Sequence, residues 1–243
     1  MTTFDVSLVQ TLAFVERFLP SPKRILDVGC GRGELAVALA GREHDVTAID
    51  VVLPDGLCSA PGLRFVQCGF CTLDAAPFDA LLFITSLHHI TPLDEVVDRA
   101  SRLLVPGGLL IAEEFSVEAP DAATAHWYYE QQEILAAIGR FHVDRIHGAL
   151  EEEPLARWHA EHVHDEPLTE GRAMRAAIAR RFELIEVSPG PYLYRYLAEG
   201  VRHSGAERDV VTTLSAFVLE AERRGIRDGS LVPIGLRLVG RRL

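Results

Sequence analysis

The chain has no apolar run long enough to cross a bilayer, which takes roughly 18 residues or more. Its N-terminal segment lacks a basic stretch followed by an apolar one, so the sequence predicts no secretory signal. These two absences together predict a cytoplasmic protein that has no membrane partner.

Basic residues are also scarce, since 24 Lys and Arg stand against 35 Asp and Glu, for a net charge of -11. A surface of this sign repels a phosphate backbone, so we expect no nucleic-acid partner. A hydrophobic content of 48% over 243 residues is enough for one large α/β domain, or for a domain with a cap. The composition therefore favours a small-molecule substrate.

Cysteine is rare as well, and the four cysteines are Cys30, Cys58, Cys68 and Cys71. Cys68 and Cys71 form a C-x-x-C pair, which could serve redox or metal chemistry. A structural zinc site usually takes a second such pair, and Cys30 and Cys58 do not form one. We therefore expect reduced thiols and no bound metal.

What the chain does contain is a regular alternation of short apolar segments with segments of helical periodicity. This alternation predicts a parallel sheet with helices on both faces. The predicted strands lie at 24–28, 46–49, 64–67, 80–84, 109–112, 182–187 and 234–239. Helices are predicted before residue 20, after residue 33, from Pro92 with Thr91 as its cap, at 121–139 and 152–162, after Thr169, and at 206–226. In the last of these helices, one face carries the apolar residues Val210, Leu214, Phe217, Val218 and Ala221.

The most specific motif is residues 25–35, ILDVGCGRGEL, in which a strand runs into a glycine loop and a helix follows at once. Glycines let backbone N–H groups approach a ligand closely. The usual dinucleotide pattern requires a further glycine where this chain has Glu34, so the loop suits a nucleoside without a pyrophosphate. Asp50, at the end of the second strand, is placed to accept hydrogen bonds from both ribose hydroxyls.

These residues resemble the first motif of class I S-adenosylmethionine-dependent methyltransferases, and the resemblance extends roughly over residues 24–115. It implies a doubly wound, mostly parallel seven-stranded α/β sheet with helical cap insertions. It also implies S-adenosyl-L-methionine as cofactor and S-adenosyl-L-homocysteine as product. The family's acid after the third strand is replaced here by residues 68–71, so we expect Phe70 to stack on adenine instead. The cofactor-binding residues implied in this way are Asp27, Gly29, Cys30, Gly31, Gly33, Asp50, Val51, Phe70 and Thr85.

Two histidines follow the fourth strand, in a Leu-His-His element like one that many small-molecule methyltransferases carry close to the transferred methyl. Neutral imidazole can deprotonate a substrate hydroxyl, or a histidine can simply brace the loop through a backbone hydrogen bond. An acid at the end of the fifth strand could orient a histidine or bind the substrate, or it could be a solvated strand end. The candidate catalytic residues are His88, His89 and Glu113.

We expect the chain to divide into four parts, because its pattern changes after the fifth strand. Residues 1–22 form an N-terminal helix that belongs to the cap, and 23–115 form the cofactor-binding core. Residues 116–168 form a helical substrate cap. Residues 169–243 complete the core, with a helical insert at about 191–229.

The cap mixes large aromatic side chains with imidazoles, which suit flat or amphipathic ligands, although aromatics at helical spacing are more often core. We expect His126, Trp127 and Tyr194 to contact the substrate. A group of neighbouring histidines and an acid could be read as a metal site, but a solvated helix end explains them better; these are His159, His162, His164 and Asp165.

The predicted reaction is methyl transfer to a small-molecule hydroxyl in specialised metabolism, by in-line displacement with a histidine as base. The alternatives are N-methylation of a small amine, an NAD-dependent oxidoreductase, and a non-catalytic protein that binds the cofactor. Apolar faces on the first and last helices would allow a homodimer.

Overall fold

A single seven-stranded sheet runs through the computed structural model, which describes residues 5–21, 23–75, 77–141, 153–162 and 168–243. Its strands lie in the order β3-β2-β1-β4-β5-β7-β6. Their bounds are β1 (Arg24–Val28), β2 (Asp45–Asp50), β3 (Leu63–Gln67), β4 (Phe78–Ile84), β5 (Leu104–Phe115), β6 (Phe182–Gly190) and β7 (Gly235–Arg242). The neighbours from β3 through β5 pair in parallel. The predicted α/β class is confirmed, and the sheet as a whole is mixed.

The helices alternate with the strands in the first half of the chain and cluster in the second half. Their bounds are α1 (Val6–Glu16), α2 (Glu34–Ala40), α3 (Leu93–Leu103), α4 (Ala122–Ala137), α5 (Pro154–Glu161), α6 (Gly171–Ala179), α7 (Leu193–His203) and α8 (Arg208–Asp228). None of the helices in the described ranges is both long and apolar enough to span a membrane.

The chain divides into two compact units. The first, here called the sheet unit, comprises residues 8–114, 169–188 and 236–243 and carries most of the seven strands. The second, the helical unit, comprises residues 1–7, 115–168 and 189–235 and carries α4, α5, α7 and α8.

The sheet unit buries both faces of its central strands. Leu26 and Leu81 belong to one apolar cluster, whereas their chain neighbours Ile25 and Leu82 belong to another. Successive side chains of a strand point to opposite faces, so these are the two sides of the same strands. Burial on both faces explains why the strands read as continuous apolar runs.

The helical unit is held together partly by a buried carboxylate. Glu222 on α8 accepts hydrogen bonds from the backbone N–H groups of Tyr192, Leu193 and Tyr194, at 2.7, 3.0 and 2.9 Å. Burial raises the pKa of Glu222, and the three backbone donors act in the opposite direction. Because α7 begins at Leu193, this side chain satisfies the N–H groups that the start of that helix leaves unpaired.

The predicted apolar face of α8 is only partly buried, because Val218 is buried and Leu214 packs against the core of the helical unit. Phe217 is 64% exposed, and the buried residues are Val211, Ser215, Val218, Leu219, Glu222 and Gly225. The inner face contains polar side chains with partners of their own, such as Ser215, whose hydroxyl donates to the Val211 carbonyl at 2.6 Å. Apolar spacing alone therefore groups the exposed Phe217 with the buried Val218 and does not detect the polar part of the inner face.

Two predicted boundaries also shift. Helix α3 starts at Leu93 with Pro92 as its N-cap. No side chain caps this helix, so the predicted role of Thr91 as its cap is wrong. Strand β5 begins at Leu104 rather than at residue 109, since residues 106–108 continue the strand through an irregular pairing with β4.

Candidate active site

The glycine loop follows β1 directly, and its three glycines have left-handed backbones. The φ angles of Gly29, Gly31 and Gly33 are 74°, 52° and 72°. A Cβ on Gly29 would lie 2.5 Å from the Cβ of Ser86, and one on Gly33 would lie 2.6 Å from the ring of Phe65. A Cβ on Gly31 would meet nothing within 4 Å. Two of the glycines are therefore required by packing, while Gly31 borders open space that a ligand can enter.

Asp50 ends β2 beside this loop. Its Oδ2 accepts a hydrogen bond from the Gly31 N–H at 2.9 Å, and its Oδ1 accepts one from the Val52 N–H at 3.2 Å. The side chains of Val51 and Val52 are 67% and 70% exposed. A carboxylate with apolar neighbours offers both hydrogen-bond acceptors for hydroxyls and a surface for a flat ring.

Asp27 lies in β1, two residues before the loop. It is 2% exposed, and its Oδ2 has no hydrogen-bond partner within the described part of the chain. Burial, and secondarily the charge of Asp50, raise the pKa of Asp27 to about 7. A buried acceptor without a partner is unfavourable, so a donor or a cation bound here would be stabilising.

Cys30 stays protonated in this environment. Burial, followed by the charges of Asp27 and Asp50, raises the pKa of its thiol to about 12. A thiol of this kind is a weak nucleophile, because the thiolate is the reactive form. Cys30 therefore contributes shape and backbone to the loop rather than covalent chemistry.

A histidine and a glutamate form a buried pair where β4 and β5 end. His88 Nδ1 lies 2.5 Å from Glu114 Oε2, and the two side chains are 6% and 0% exposed. The other carboxylate oxygen, Oε1, accepts from the backbone N–H groups of Ser86 and Leu87 at 3.0 and 2.7 Å. Because a carboxylate only accepts, Nδ1 donates this hydrogen bond, and in the neutral ring the lone pair then lies on Nε2.

The adjacent acid, Glu113, has a different set of partners. Its Oε1 accepts from Arg237 Nε and Nη2 at 2.8 and 2.6 Å, and its Oε2 accepts from the hydroxyl of Thr11. Glu113 and Glu114 point to opposite faces of the strand. The acid that contacts the histidine is therefore Glu114, one residue beyond the predicted Glu113.

His89 and Thr85 flank the buried pair. His89 is exposed, and its ring centroid lies 4.1 Å from that of His88. Thr85 has a positive φ of 55°, which is uncommon for a β-branched residue, and its N–H donates to the Glu113 carbonyl at 2.8 Å. The chain thus turns sharply as it leaves β4, and the turn brings both histidines to the end of the strand.

The structure contradicts the predicted role of Phe70. Its ring is 4% exposed and packs edge-on against Phe83 with centroids 5.3 Å apart, while Arg99 covers it at 5.8 Å. A ring enclosed in this way is core and does not present a face to adenine. The exposed Val51 and Val52 are better placed to contact a base.

Among the described residues, neither the C-x-x-C pair nor His159 and His162 form part of a metal-binding cluster. All four cysteines are free thiols, and the described residues contain no group of three or more His, Cys, Asp or Glu side chains arranged to hold a metal. His159 is exposed, and His162 stacks on Trp158. His164 and Asp165 lie outside the described residues.

The predicted substrate residues lie in the helical unit and differ in exposure. The His126 side chain is 62% exposed, and its Nε2 is 3.1 Å from Glu130. Trp127 is half-buried, whereas Tyr194 is 1% exposed and has Arg195 over its ring. The sequence does not predict the ring contacts that His162 makes with Trp158 and Tyr196.

Comparison with known proteins agrees with this geometry. A family model described as a methyltransferase domain matches residues 7–153. An uncharacterized methyltransferase of Mycobacterium tuberculosis is 37% identical over 99 residues, which are 37% of this chain and 50% of the relative. A ubiquinone biosynthesis O-methyltransferase of Xylella fastidiosa is 35% identical over 112 residues, which are 41% of this chain and 45% of the relative. The chain thus spans about half the length of the curated relatives it matches.

A solved structure shares the fold. The 1,6-didemethyltoxoflavin-N1-methyltransferase of Burkholderia thailandensis, with bound 1,6-didemethyltoxoflavin and S-adenosylhomocysteine, is 21% identical and has a TM-score of 0.55. The comparison covers 99% of this chain and 80% of that one. The family model itself matches more than half of the 243 residues. This chain therefore belongs to the methyltransferase-domain family and has the fold of the class I, S-adenosylmethionine-dependent methyltransferases.

Proposed function

We propose that this protein transfers a methyl group from S-adenosylmethionine to a hydroxyl of a small molecule. The observation that carries the proposal lies at the carboxyl ends of β1 and β2, where Gly31 borders open space and Asp50 is held beside it. There Asp27 has a buried oxygen with no hydrogen-bond partner among the residues that the structure describes. The similarity to a ubiquinone biosynthesis O-methyltransferase supports oxygen as the accepting atom.

The residues present fit this cofactor. Asp50 would bind the ribose hydroxyls, because its carboxylate is already oriented by the backbone of Gly31 and Val52. Val51 would contact the adenine ring through its exposed side chain. The amino group of the cofactor would supply a positive charge for the buried oxygen of Asp27, which has no partner among the described residues.

The chain's own contribution to the chemistry is alignment and proton removal. When bound, the cofactor supplies a methyl group that is already electrophilic, so the protein mainly has to hold the acceptor in line with it. A hydroxyl acceptor must also lose its proton, and a positioned base typically accelerates such a step by about 10²–10⁴-fold. We assign this role to Nε2 of His88, with Glu114 as the residue that fixes its ring.

The buried pair also favours oxygen over nitrogen. A neutral amine needs no base before it attacks, whereas a hydroxyl does. The His88–Glu114 contact fixes one tautomer and stabilises the imidazolium that forms when the ring accepts a proton. N-methylation of a small amine stays the alternative within the same class.

Transfer of tritium-labelled methyl from S-adenosylmethionine tests the proposal with panels of small hydroxyl and amine acceptors. We expect product with hydroxyl acceptors, and a loss of about 10²-fold in kcat for His88→Gln because no base remains. His203→Gln is the matched control, since this exposed histidine lies on α7 in the helical unit. Transfer to amines alone, with His88→Gln as active as the parent, would contradict the proposal. So would tight cofactor binding without transfer to any member of either panel.

A further inference from the structure

A serine joins the glycine loop to residues 85–89, here called the histidine turn because they carry His88. Ser86 is 8% exposed, and its hydroxyl donates a hydrogen bond to the carbonyl oxygen of Val28, the last residue of β1, at 2.6 Å. Its Cβ lies so close to the start of the loop that a Cβ on Gly29 would be 2.5 Å from it. The Ser86 side chain therefore packs directly against the backbone from which the glycine loop begins.

The backbone of the same serine has a partner on β5. The Ser86 N–H donates to Glu114 Oε1 at 3.0 Å, beside the N–H of Leu87 at 2.7 Å. The other carboxylate oxygen of Glu114 lies 2.5 Å from His88 Nδ1. Ser86 therefore connects the end of β1 to the carboxylate that orients the His88 ring, and all of these residues belong to the sheet unit.

Helix capping does not explain this hydroxyl. Ser86 is the N-cap of the short 3₁₀ helix Leu87–His89, a position at which a serine hydroxyl usually accepts a hydrogen bond from an N–H of the following turn. The Ser86 side chain makes no such bond, and the N–H of His89 donates to the Ser86 carbonyl at 3.2 Å instead. The hydroxyl is directed at β1, so it holds the ends of two neighbouring strands at a fixed distance.

The histidine turn is held from other directions as well. At its start, the N–H of Thr85 donates to the carbonyl oxygen of Glu113 on β5 at 2.8 Å. Further along, the carbonyl oxygen of His88 accepts from the N–H of Thr169, in the segment that leads into α6, at 2.9 Å. The Ser86 hydroxyl adds the bond that ties this turn to the glycine loop. A base held in this way has a defined place relative to a ligand on the loop.

We propose that Ser86 is a positioning residue for methyl transfer, whose hydroxyl sets the distance between the cofactor on the glycine loop and the His88 side chain. This inference rests on the proposed function and adds a residue to it. A displacement of about 1 Å between reacting groups can lower a rate by roughly 10²-fold. The cofactor itself is held by Asp50 and Gly31, so its binding depends less on this spacing. Ser86 therefore acts on kcat rather than on cofactor affinity.

Ser86→Ala tests the proposal, because it removes the hydroxyl and keeps both the Cβ and the backbone N–H. With the best hydroxyl acceptor of the panel, we expect kcat to fall about tenfold. Calorimetry should give an affinity for S-adenosylhomocysteine within about threefold of the parent, with unchanged stoichiometry. Ser215→Ala is the matched control, since the Ser215 hydroxyl is 3% exposed and donates to the Val211 carbonyl over the same 2.6 Å, in the helical unit. Its kcat should stay within about twofold of the parent.

Two further measurements show whether the base is still present in Ser86→Ala. The increase of kcat with pH should occur over the same pH range as in the parent, because His88 and Glu114 are unchanged, whereas His88→Gln should lack it. In ¹⁵N-labelled protein, the Nδ1–H signal of His88 is identified by its absence from His88→Gln, and it should persist in Ser86→Ala. A variant that is merely less folded would instead bind S-adenosylhomocysteine with reduced stoichiometry.

The inference is overturned if kcat of Ser86→Ala lies within about twofold of the parent, or if Ser215→Ala loses as much activity. An affinity for S-adenosylhomocysteine that falls as far as kcat also overturns it, since the hydroxyl would then shape only the cofactor loop. Loss of the Nδ1–H signal overturns it too, since the hydroxyl would then support only the His88–Glu114 pair. Transfer by the parent to amines alone, or no transfer at all, would contradict the proposed function itself, so the two failures are distinguishable.

Discussion

Asp27 places a carboxyl group inside the sheet, where ionisation is unfavourable. The raised pKa means that the folded state binds the proton of Asp27 more tightly than the unfolded chain does. Ionisation of this buried carboxyl group therefore lowers the stability of the fold. Above pH 4 the unfolded chain releases this proton first, so the contribution of Asp27 to folding becomes less favourable until the pH passes about 7. We therefore expect Asp27 to bind a cation or a hydrogen-bond donor.

Replacing Asp27 by Asn separates these two effects. Binding of a ligand with an ammonium group favours the ionised carboxylate, so the affinity of the parent for S-adenosylhomocysteine should increase up to roughly tenfold between pH 6 and pH 8. Asp27→Asn should bind more weakly and lose this dependence, yet the ligand-free variant should resist urea better than the parent at pH 8. Calorimetry and urea unfolding measure the two quantities. An unchanged pH profile in Asp27→Asn would contradict the assignment.

The glutamates at the end of β5 illustrate what a sequence leaves open at the residue scale. The pattern predicts that an acid there orients a histidine, but two acids are adjacent and the strand period places them on opposite faces. Which of them faces His88 depends on how β5 sits against β4, where Ile84 pairs with Glu113 after an irregularity at residues 78–80. That irregularity has no clear sequence signal.

Exchange of each glutamate for glutamine tests the distinction. Glu114→Gln should lower kcat by about 10–10²-fold, because the amide holds the His88 ring less firmly and does not stabilise the imidazolium. Glu113→Gln should leave kcat within about twofold and instead lower the free energy of unfolding by roughly 1–3 kcal/mol, since the charge of Arg237 loses its partner. Steady-state kinetics and urea unfolding check both outcomes. The reverse pattern would restore Glu113 as the residue that acts on the histidine.

At the scale of elements, the sequence predicts the sheet unit well. The sequence predicts a segment for every strand of the sheet, because apolar runs between glycine and proline turns are typical of buried strands. The sequence also predicts the glycine loop after β1, where all three glycines have positive φ and where packing leaves no room for a side chain at Gly29 and Gly33. The helical unit was predicted less well, because its inner faces carry polar residues such as Ser215 and Glu222 that apolar periodicity does not detect.

The contribution of the buried Glu222 side chain to the stability of the fold can be measured by substitution. Glu222→Gln keeps the size of the side chain but leaves one carbonyl oxygen to serve three backbone N–H groups at the start of α7. We expect the free energy of unfolding to fall by roughly 1–3 kcal/mol. Glu220→Gln, an exposed position on the same helix, should change it by no more than about 0.5 kcal/mol. Equal stability of the two variants in urea would show that Glu222 does not cap α7.

At the scale of the whole molecule, charge and exposed apolar surface set the expectations about partners. The net charge of -11 predicts no affinity for nucleic acid, and this stays a prediction. Val9 on α1 and Phe217 on α8 are 44% and 64% exposed, as a homodimer through the first or last helix would require. Single exposed apolar side chains are also normal on monomers, so sedimentation of the purified chain has to decide.

The central claim is that Gly31 and Asp50, at the carboxyl ends of β1 and β2, bind the adenosyl part of S-adenosylmethionine. Calorimetric titration with S-adenosylhomocysteine measures this directly for the parent, for Asp50→Ala, and for Asp45→Ala, which alters the opposite end of the same strand. We expect saturable heat for the parent, an affinity lower by roughly 10–10²-fold for Asp50→Ala, and one within about twofold of the parent for Asp45→Ala. No heat with the parent, or equal affinity of Asp50→Ala and the parent, would contradict the account.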